Sequence, residues 1–343
     1  MTRSEYILVT GGAGYIGSHT CVALAQAGYR CVILDNFSNS SPRILERLKQ
    51  LMPVAAEFVQ GDIRQEKDLH DVFARFPIAA VIHFAGLKAV GESVTNPLVY
   101  FDNNVTGTVC LLRAMQQAQV KRLVFSSSAT VYGIPQTLPV SEDAPLQVLN
   151  PYGRTKLMIE EMLADLYQSD PQWHIARLRY FNPVGAHPSG MIGEAPQGVP
   201  SNLMPYLTQV AVGRLPYVNV YGDDYPTPDG TGVRDYIHVM DLARGHVVAL
   251  DHCARYAGVL TVNLGTGTGV SVLQMIEAFS RACGQRIPYR IVGRRAGDAA
   301  SCWADPALAQ RALQWRAVHS LDQMCEDSWR WQKLNPQGFE ASV

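Results

Sequence analysis

The sequence contains no apolar run approaching the ~18 residues needed to cross a bilayer, so a membrane span is not expected. It also lacks any block of one charge. Its 29 Lys and Arg are scattered among 30 Asp and Glu, which excludes the basic surface of a nucleic-acid binder. The seven cysteines are odd in number, dispersed and without a C-x-x-C pair, which argues against a disulfide framework or a structural zinc site. Cys21, Cys31 and Cys110 fall in segments patterned as helix or strand and read as small buried hydrophobes, as in a reduced cytoplasmic protein. The histidines give no metal-ligand spacing, and His238 and His246 read as a helix start and a core residue. Repeats, low-complexity tracts and Gly/Ser linkers are missing too. The first strand starts so close to Met1 that a signal peptide is not expected.

What is present fills one large or two intimate domains: 343 residues, 47% of them hydrophobic. The N-terminal half alternates two textures. Strands are expected at 6–10, 30–34, 56–59, 80–84, 122–126 and 174–179, and helices around 42–51, 66–75, 97–118 and 152–168. Such alternation predicts an α/β fold, a doubly wound parallel sheet with helices on both faces. Beyond Tyr180, Pro and Gly become frequent and longer loops surround shorter elements. The expectation is a dinucleotide-binding Rossmann domain over 1–180 and a smaller, discontinuous α/β substrate domain over 181–343. A strand near 260–265 is expected to return to the main sheet.

The first strand runs directly into Gly11-Gly12-Ala13-Gly14-Tyr15-Ile16-Gly17. Gly11 permits a tight turn, Gly14 lets backbone approach a pyrophosphate, and Gly17 lets the helix pack closely on the strand. The helix N-terminus then offers free N–H groups to phosphate. The second strand ends in Asp35, an acid placed to accept from an adenosine ribose and to repel a 2′-phosphate. NAD is therefore the expected cofactor, in preference to NADP.

Tyr152 and Lys156, in Pro151-Tyr152-Gly153-Arg154-Thr155-Lys156, stand one helical turn apart on one face. Alone, such a pair is an ordinary amphipathic face. A tyrosine hydroxyl with a pKa of ~10 is a poor base at neutral pH, and an adjacent ammonium lowers that value. So tuned, it takes a proton from a sugar hydroxyl while the carbon loses hydride. Two further motifs fall at strand ends, where ligands of parallel sheets bind. His83-Phe84-Ala85-Gly86 lets backbone lie near a nicotinamide, and Ser126-Ser127-Ser128 offers Ser128 to a sugar oxygen beside the tyrosine.

With these residues in place, the chain resembles the UDP-glucose 4-epimerase family of the extended short-chain dehydrogenase/reductase superfamily. The G-x-x-G-x-x-G turn and Tyr-x-x-x-Lys mark the superfamily. Leu87-Lys88-Ala89-Val90-Gly91-Glu92-Ser93 and Phe181-Asn182-Pro183-Val184-Gly185-Ala186-His187 are closer to the epimerases. The resemblance implies galactose metabolism: NAD-dependent oxidation of a UDP-hexose at C4, rotation of the 4-keto sugar, and return of hydride to the opposite face. It implies Tyr152 as base, Lys156 as the group that lowers its pKa and holds the nicotinamide ribose, and Ser128 as partner of the reacting hydroxyl. By the same resemblance Tyr15, Ile16, Asp35, Asn36, Asp62, Ile63, Phe84, Ala85, Gly86, Lys88, Asn103 and Phe181 fall on cofactor positions, with Asp62 accepting from the adenine amine. Arg234 and Arg295 fall at the pyrophosphate. Asn182 and Asn202 fall on amide donors, Tyr221 near the uracil, and Asp298 at a ribose. Cys302 corresponds to a gate beside the C2 substituent, where a small residue admits N-acetylated UDP-sugars.

A homodimer is implied as well, through helices near 97–118 and 152–168. Their apolar stripes are Val105, Val109, Leu112 and Met115, and Leu157, Ile159, Met162, Leu163 and Leu166; such stripes serve a core equally well, so the resemblance carries the dimer. Two other readings use the same scaffold. A sugar-nucleotide 4,6-dehydratase or decarboxylase needs more chemistry beside the serine than Ala129, Thr130 and Val131 supply. A non-catalytic NAD-binding sensor has no use for the Tyr/Lys pair.

Overall fold

A computed structural model describes residues 5–198, 200–295 and 297–340. The strands are β1 (Tyr6–Thr10), β2 (Arg30–Asp35), β3 (Glu57–Gln60), β4 (Ile78–His83), β5 (Arg122–Ser128), β6 (His174–Tyr180), β7 (Asn182–Val184), β8 (Val218–Tyr221), β9 (Val233–His238), β10 (Gly258–Leu264), β11 (Gly269–Ser271), β12 (Tyr289–Val292) and β13 (Ser301–Cys302). Seven of them form one sheet in the order β10-β6-β5-β4-β1-β2-β3, parallel from β3 through β6. The order reverses between β1 and β4, the switch point where a doubly wound sheet opens a crevice at its carboxyl ends. Continuous apolar runs explain the central strands: all five residues of β1 are buried, as a strand covered on both faces requires.

Two compact units share the chain. One comprises Met1–Gly133, Leu146–Tyr180 and Ala243–Val262; the other comprises Ile134–Pro145, Phe181–Leu242 and Asn263–Val343. In the second unit β9 is central, with β11 antiparallel to it and β7 and β13 parallel, while β8 and β12 make a separate parallel pair.

The expected helix over 97–118 runs from Pro97 to Gln117, but its hydrogen bonding changes register on the way. Short helices at Val90–Thr95 and Pro97–Tyr100 lead into a π-helical stretch, Phe101–Thr106, and only then an α-helix, Gly107–Gln117. The Gly107 N–H reaches back five residues to the Asp102 carbonyl, which widens the turn. The helical apolar stripes also have a different destination. Met115, Ile159 and Leu163 lie in the core of the first unit, with Leu112, Met162 and Leu166 packed against it. Val105, Val109 and Leu157 are half-buried. The residues left bare are instead Val94, Leu98, Val99 and Met158.

No helix among the described residues is long and apolar enough to cross a membrane. All seven cysteines are free thiols, with Cys21, Cys31 and Cys110 buried. His238 and His246 are buried as well.

Candidate active site

The glycine turn follows β1 because backbone packs there too closely for side chains. A Cβ on Gly11, whose φ is +69°, would stand 2.7 Å from the Ala85 amide, and one on Gly17 would stand 2.3 Å from the Gly11 carbonyl oxygen. Gly14 caps the helix Tyr15–Gln26, and a Cβ there would meet nothing within 4 Å beyond the Gly11 oxygen. No side chain caps this helix and its first turn carries no acid, so its N–H groups suit the phosphates of a dinucleotide. Tyr15 and Ile16 open the helix, their carbonyls accepting from His19 and Thr20.

Asp35 ends β2 and fixes the turn. Its Oδ2 accepts from the Ala13 N–H at 3.0 Å, and its Oδ1 from the Phe37 N–H and the Ser40 hydroxyl, both at 2.9 Å. One lone-pair site therefore stays open on Oδ2 for a ribose hydroxyl. Asp62 differs from the expectation of a free acceptor for adenine. Its oxygens accept from Asn36 Nδ2 and from the amide, Nε and a terminal nitrogen of Arg64, which uses all four sites. The Arg64 hydrogen bonds hold its pKa down to about 2. Asp62 thus holds the turn, and neighbouring Ile63 packs where Gly107 has no side chain.

Ser128, Tyr152 and Lys156 come together at the carboxyl end of β5. Asn150 caps the helix Pro151–Ser169, its Oδ1 accepting from the Gly153 N–H, so the first turn begins where Tyr152 meets β5. Burial pushes the Tyr152 phenol up, and a hydrogen bond from Ser128 draws it back. The expected lowering by Lys156 is not what governs this tyrosine. The ammonium stands 5.9 Å from the Tyr152 ring centre and donates to the Ser126 carbonyl at 2.7 Å. Burial brings Lys156 down to about 8, with Glu160 opposing, so it is mostly charged at neutral pH.

Two groups that sequence reasoning missed hold this arrangement. Glu160, one turn beyond Lys156, is buried and accepts from the Ser127 hydroxyl at 2.5 Å and from Arg179 at 2.6 and 2.9 Å. The pair binds the helix to β5 and β6. Asn104, on the π stretch, uses its whole amide: Oδ1 accepts from the Leu87 N–H and Asn103 Nδ2, while Nδ2 donates to the Leu87 carbonyl and the Thr155 hydroxyl. It fixes the Phe84–Lys88 loop against the catalytic helix, with Gly86 placed so that a Cβ would lie 3.8 Å from Lys156 Nζ. Phe84 turns its ring onto His246 at 4.6 Å. An i+4 carboxylate and an asparagine doublet are visible signals, but their partners are not.

The second unit carries the other candidates. Arg234 on β9 pairs with Asp298 at 3.7 Å, and Cys302 on β13 lies opposite it in register. Burial raises the Cys302 thiol to about 11, so it is neutral. The Arg295 guanidinium lies 3.8 Å above the Tyr221 ring. Asn182, exposed on β7, pairs with Tyr236 of β9, and Phe181 before it is buried. Asn202 precedes the helix Leu203–Ala211 and donates to Glu194 at 3.2 Å. Asp235, fully buried, ties β9 to residues 266, 267 and 304 by four hydrogen bonds. Among the described residues there is no cluster of His, Cys, Asp and Glu that could hold a metal.

Comparison with known proteins agrees with this geometry. The model of the NAD dependent epimerase/dehydratase family matches residues 7–265. UDP-glucose 4-epimerase of Bacillus subtilis is 58% identical over 336 residues, 98% of this chain and 99% of its own. The Homo sapiens enzyme of that name is 56% identical, over 98% of this chain and 99% of its own. A crystal structure of UDP-glucose 4-epimerase from Bifidobacterium longum in complex with NAD+ and UDP superposes with a TM-score of 0.95. It is 53% identical and covers 97% of this chain and 99% of that one. On the matched residues and this identity, the chain belongs to the NAD dependent epimerase/dehydratase family.

Proposed function

We propose that this protein is a UDP-glucose 4-epimerase, interconverting UDP-galactose and UDP-glucose with bound NAD. The observation that carries this reading is the meeting of Ser128, Tyr152 and Lys156 at the carboxyl end of β5, in a chain 58% identical to an enzyme of that name. The glycine turn would hold the dinucleotide, which as NAD+ would accept hydride from C4 of the sugar and as NADH would return it.

The residues of the chain do the rest. Tyr152 takes the O4 proton and later gives it back, and Ser128 stabilises its phenolate and orients the hydroxyl. Lys156, its ammonium anchored on the Ser126 carbonyl beside the Phe84–Lys88 loop, would hold the nicotinamide ribose in this reading. Because the sugar ends at its starting oxidation level, a single bound cofactor serves every turnover. For the diphosphate, Arg234 and Arg295 supply fixed cations, and guanidinium geometry suits paired phosphate oxygens. Asn182, Asn202, Tyr221 and Asp298 complete the nucleotide site in this reading. The enzyme is further proposed to work as a reduced, cytoplasmic homodimer.

The dehydratase alternative is disfavoured by the turn after Ser128. Thr130 spends its amide and hydroxyl on Ser128 Oγ, and Val131 is buried, so no second acid–base pair stands there. Incubation with UDP-galactose and no added NAD tests the proposal: UDP-glucose is expected. A 4-keto-6-deoxy product, or none, contradicts it. Tyr152→Phe is expected to keep its NAD while turnover falls by roughly 10²–10⁴-fold. Activity within about threefold of wild type would remove Tyr152 from the base role.

A further inference from the structure

The π stretch carries both Asn103 and Asn104, and it is held open by a polar strut that the catalytic chemistry does not use. His83, at the end of β4, is buried between two threonines. Its Nδ1 lies 2.6 Å from Thr10 Oγ1 and its Nε2 lies 3.0 Å from Thr108 Oγ1. The Thr108 hydroxyl donates to the Asn104 carbonyl at 2.6 Å, so it has only lone pairs to offer the imidazole. The ring must therefore be the Nε2–H tautomer, with Nδ1 accepting from Thr10. Burial, reinforced by the Lys156 charge, pushes His83 down to about 3, which keeps this tautomer neutral throughout the working pH range.

The consequence is local. In an α-helix the Asn104 carbonyl would accept from the Thr108 amide, four residues on. Here that carbonyl accepts from the Gly107 N–H and from the Thr108 hydroxyl, and a hydroxyl bonded back to i−4 competes with the α-helical ladder and bends it. His83 removes the rotational freedom of that hydroxyl. We infer that His83 and Thr108 are positioning residues: their strut between β1, β4 and the π stretch sets where Asn103 and Asn104 stand, and so holds the Phe84–Lys88 loop in shape for the cofactor. Asn104 grips that loop through both the N–H and the carbonyl of Leu87, and the same loop backs onto Gly11 at Ala85. Thr10 anchors the other end, one residue before the glycine turn. The inference rests on the reading that the turn binds NAD.

Its test uses Thr108→Val, which keeps shape but removes the hydroxyl, and Thr108→Ser, which restores it. Leu163→Ala, a core variant that removes none of the strut's hydrogen bonds, controls for general destabilisation. For each protein the rate of NAD release and the amide hydrogen exchange of residues 101–108 are measured. Thr108→Val is expected to release NAD at least threefold faster and to exchange faster at those amides. Thr108→Ser and Leu163→Ala are expected to stay within threefold in release, Leu163→Ala despite a lower Tm. If Thr108→Val does not fold, Thr108→Ala carries the same expectation. Release within threefold of wild type in the valine variant, or equal acceleration in Leu163→Ala, overturns the inference. Wild-type protein that binds no NAD would instead overturn the reading beneath it.

Discussion

A single buried side chain can be read from sequence when its chemistry depends on near neighbours. Tyr152 and Lys156 were legible because i, i+4 spacing guarantees a shared helical face, and Ser128 because a strand ending in serines leads toward them. The electrostatic relation between them was not legible. Whether a lysine lowers a tyrosine depends on where its ammonium points, and here it points at the Ser126 carbonyl. Asp62 gives the same lesson, its carboxylate being consumed by Arg64 and Asn36. Cys302 carries a prediction at this scale. It lies opposite Arg234, a proposed diphosphate ligand, and its side chain is much smaller than a phenol. Steric exclusion from a tight pocket discriminates more strongly than lost contact. The wild type is expected to turn over UDP-GlcNAc and UDP-GalNAc, and Cys302→Tyr to lose that activity while keeping UDP-galactose. Kinetics on both sugar pairs decide it; equal turnover of UDP-GlcNAc by the tyrosine variant contradicts the gate.

At the scale of elements, strands and glycine turn were legible because their signals are local: continuous apolar runs, then glycines at positions that admit no Cβ. The π turn inside the 97–118 helix was not, because its apolar spacing runs on smoothly. The polar contacts around it, from Thr108 to His83 and from Asn104 to Thr155, reach residues far away in sequence. The Glu160–Arg179 pair is similarly hidden, since its members stand 19 positions apart, one on a helix and one on a strand. It also ties the catalytic helix to the sheet. Removing one partner of a buried ion pair leaves an uncompensated charge and typically costs about 3–5 kcal/mol. Glu160→Ala is therefore expected to lose stability of that order in urea unfolding, with the Ser127 hydroxyl and the Arg179 charge deprived of their carboxylate. A loss below about 1 kcal/mol would show that water or a neighbour replaces the carboxylate.

For the whole molecule, the change of texture at Tyr180 marked a second unit. The strand expected near 260–265 does return to the main sheet as β10, but the sequence did not reveal that 134–145 sits in the second unit or that the helical segment from 243 sits in the first, because chain crossings leave no compositional trace. Leu98 is 80% and Val94 61% exposed, with Val99 and Met158 also bare, on helices that contact one another. Such a patch is costly to leave in water. A homodimer through this face is expected by sedimentation at micromolar concentration, with Leu98→Asp shifting it toward monomer; a monomeric wild type contradicts this.

The central claim is that hydrogen leaves C4 as hydride and returns to the same carbon without meeting water. UDP-galactose deuterated at C4, converted in ordinary water, tests it most directly by mass spectrometry and NMR of the UDP-glucose formed. The account predicts full retention of deuterium at C4. Loss of the label to solvent would contradict it.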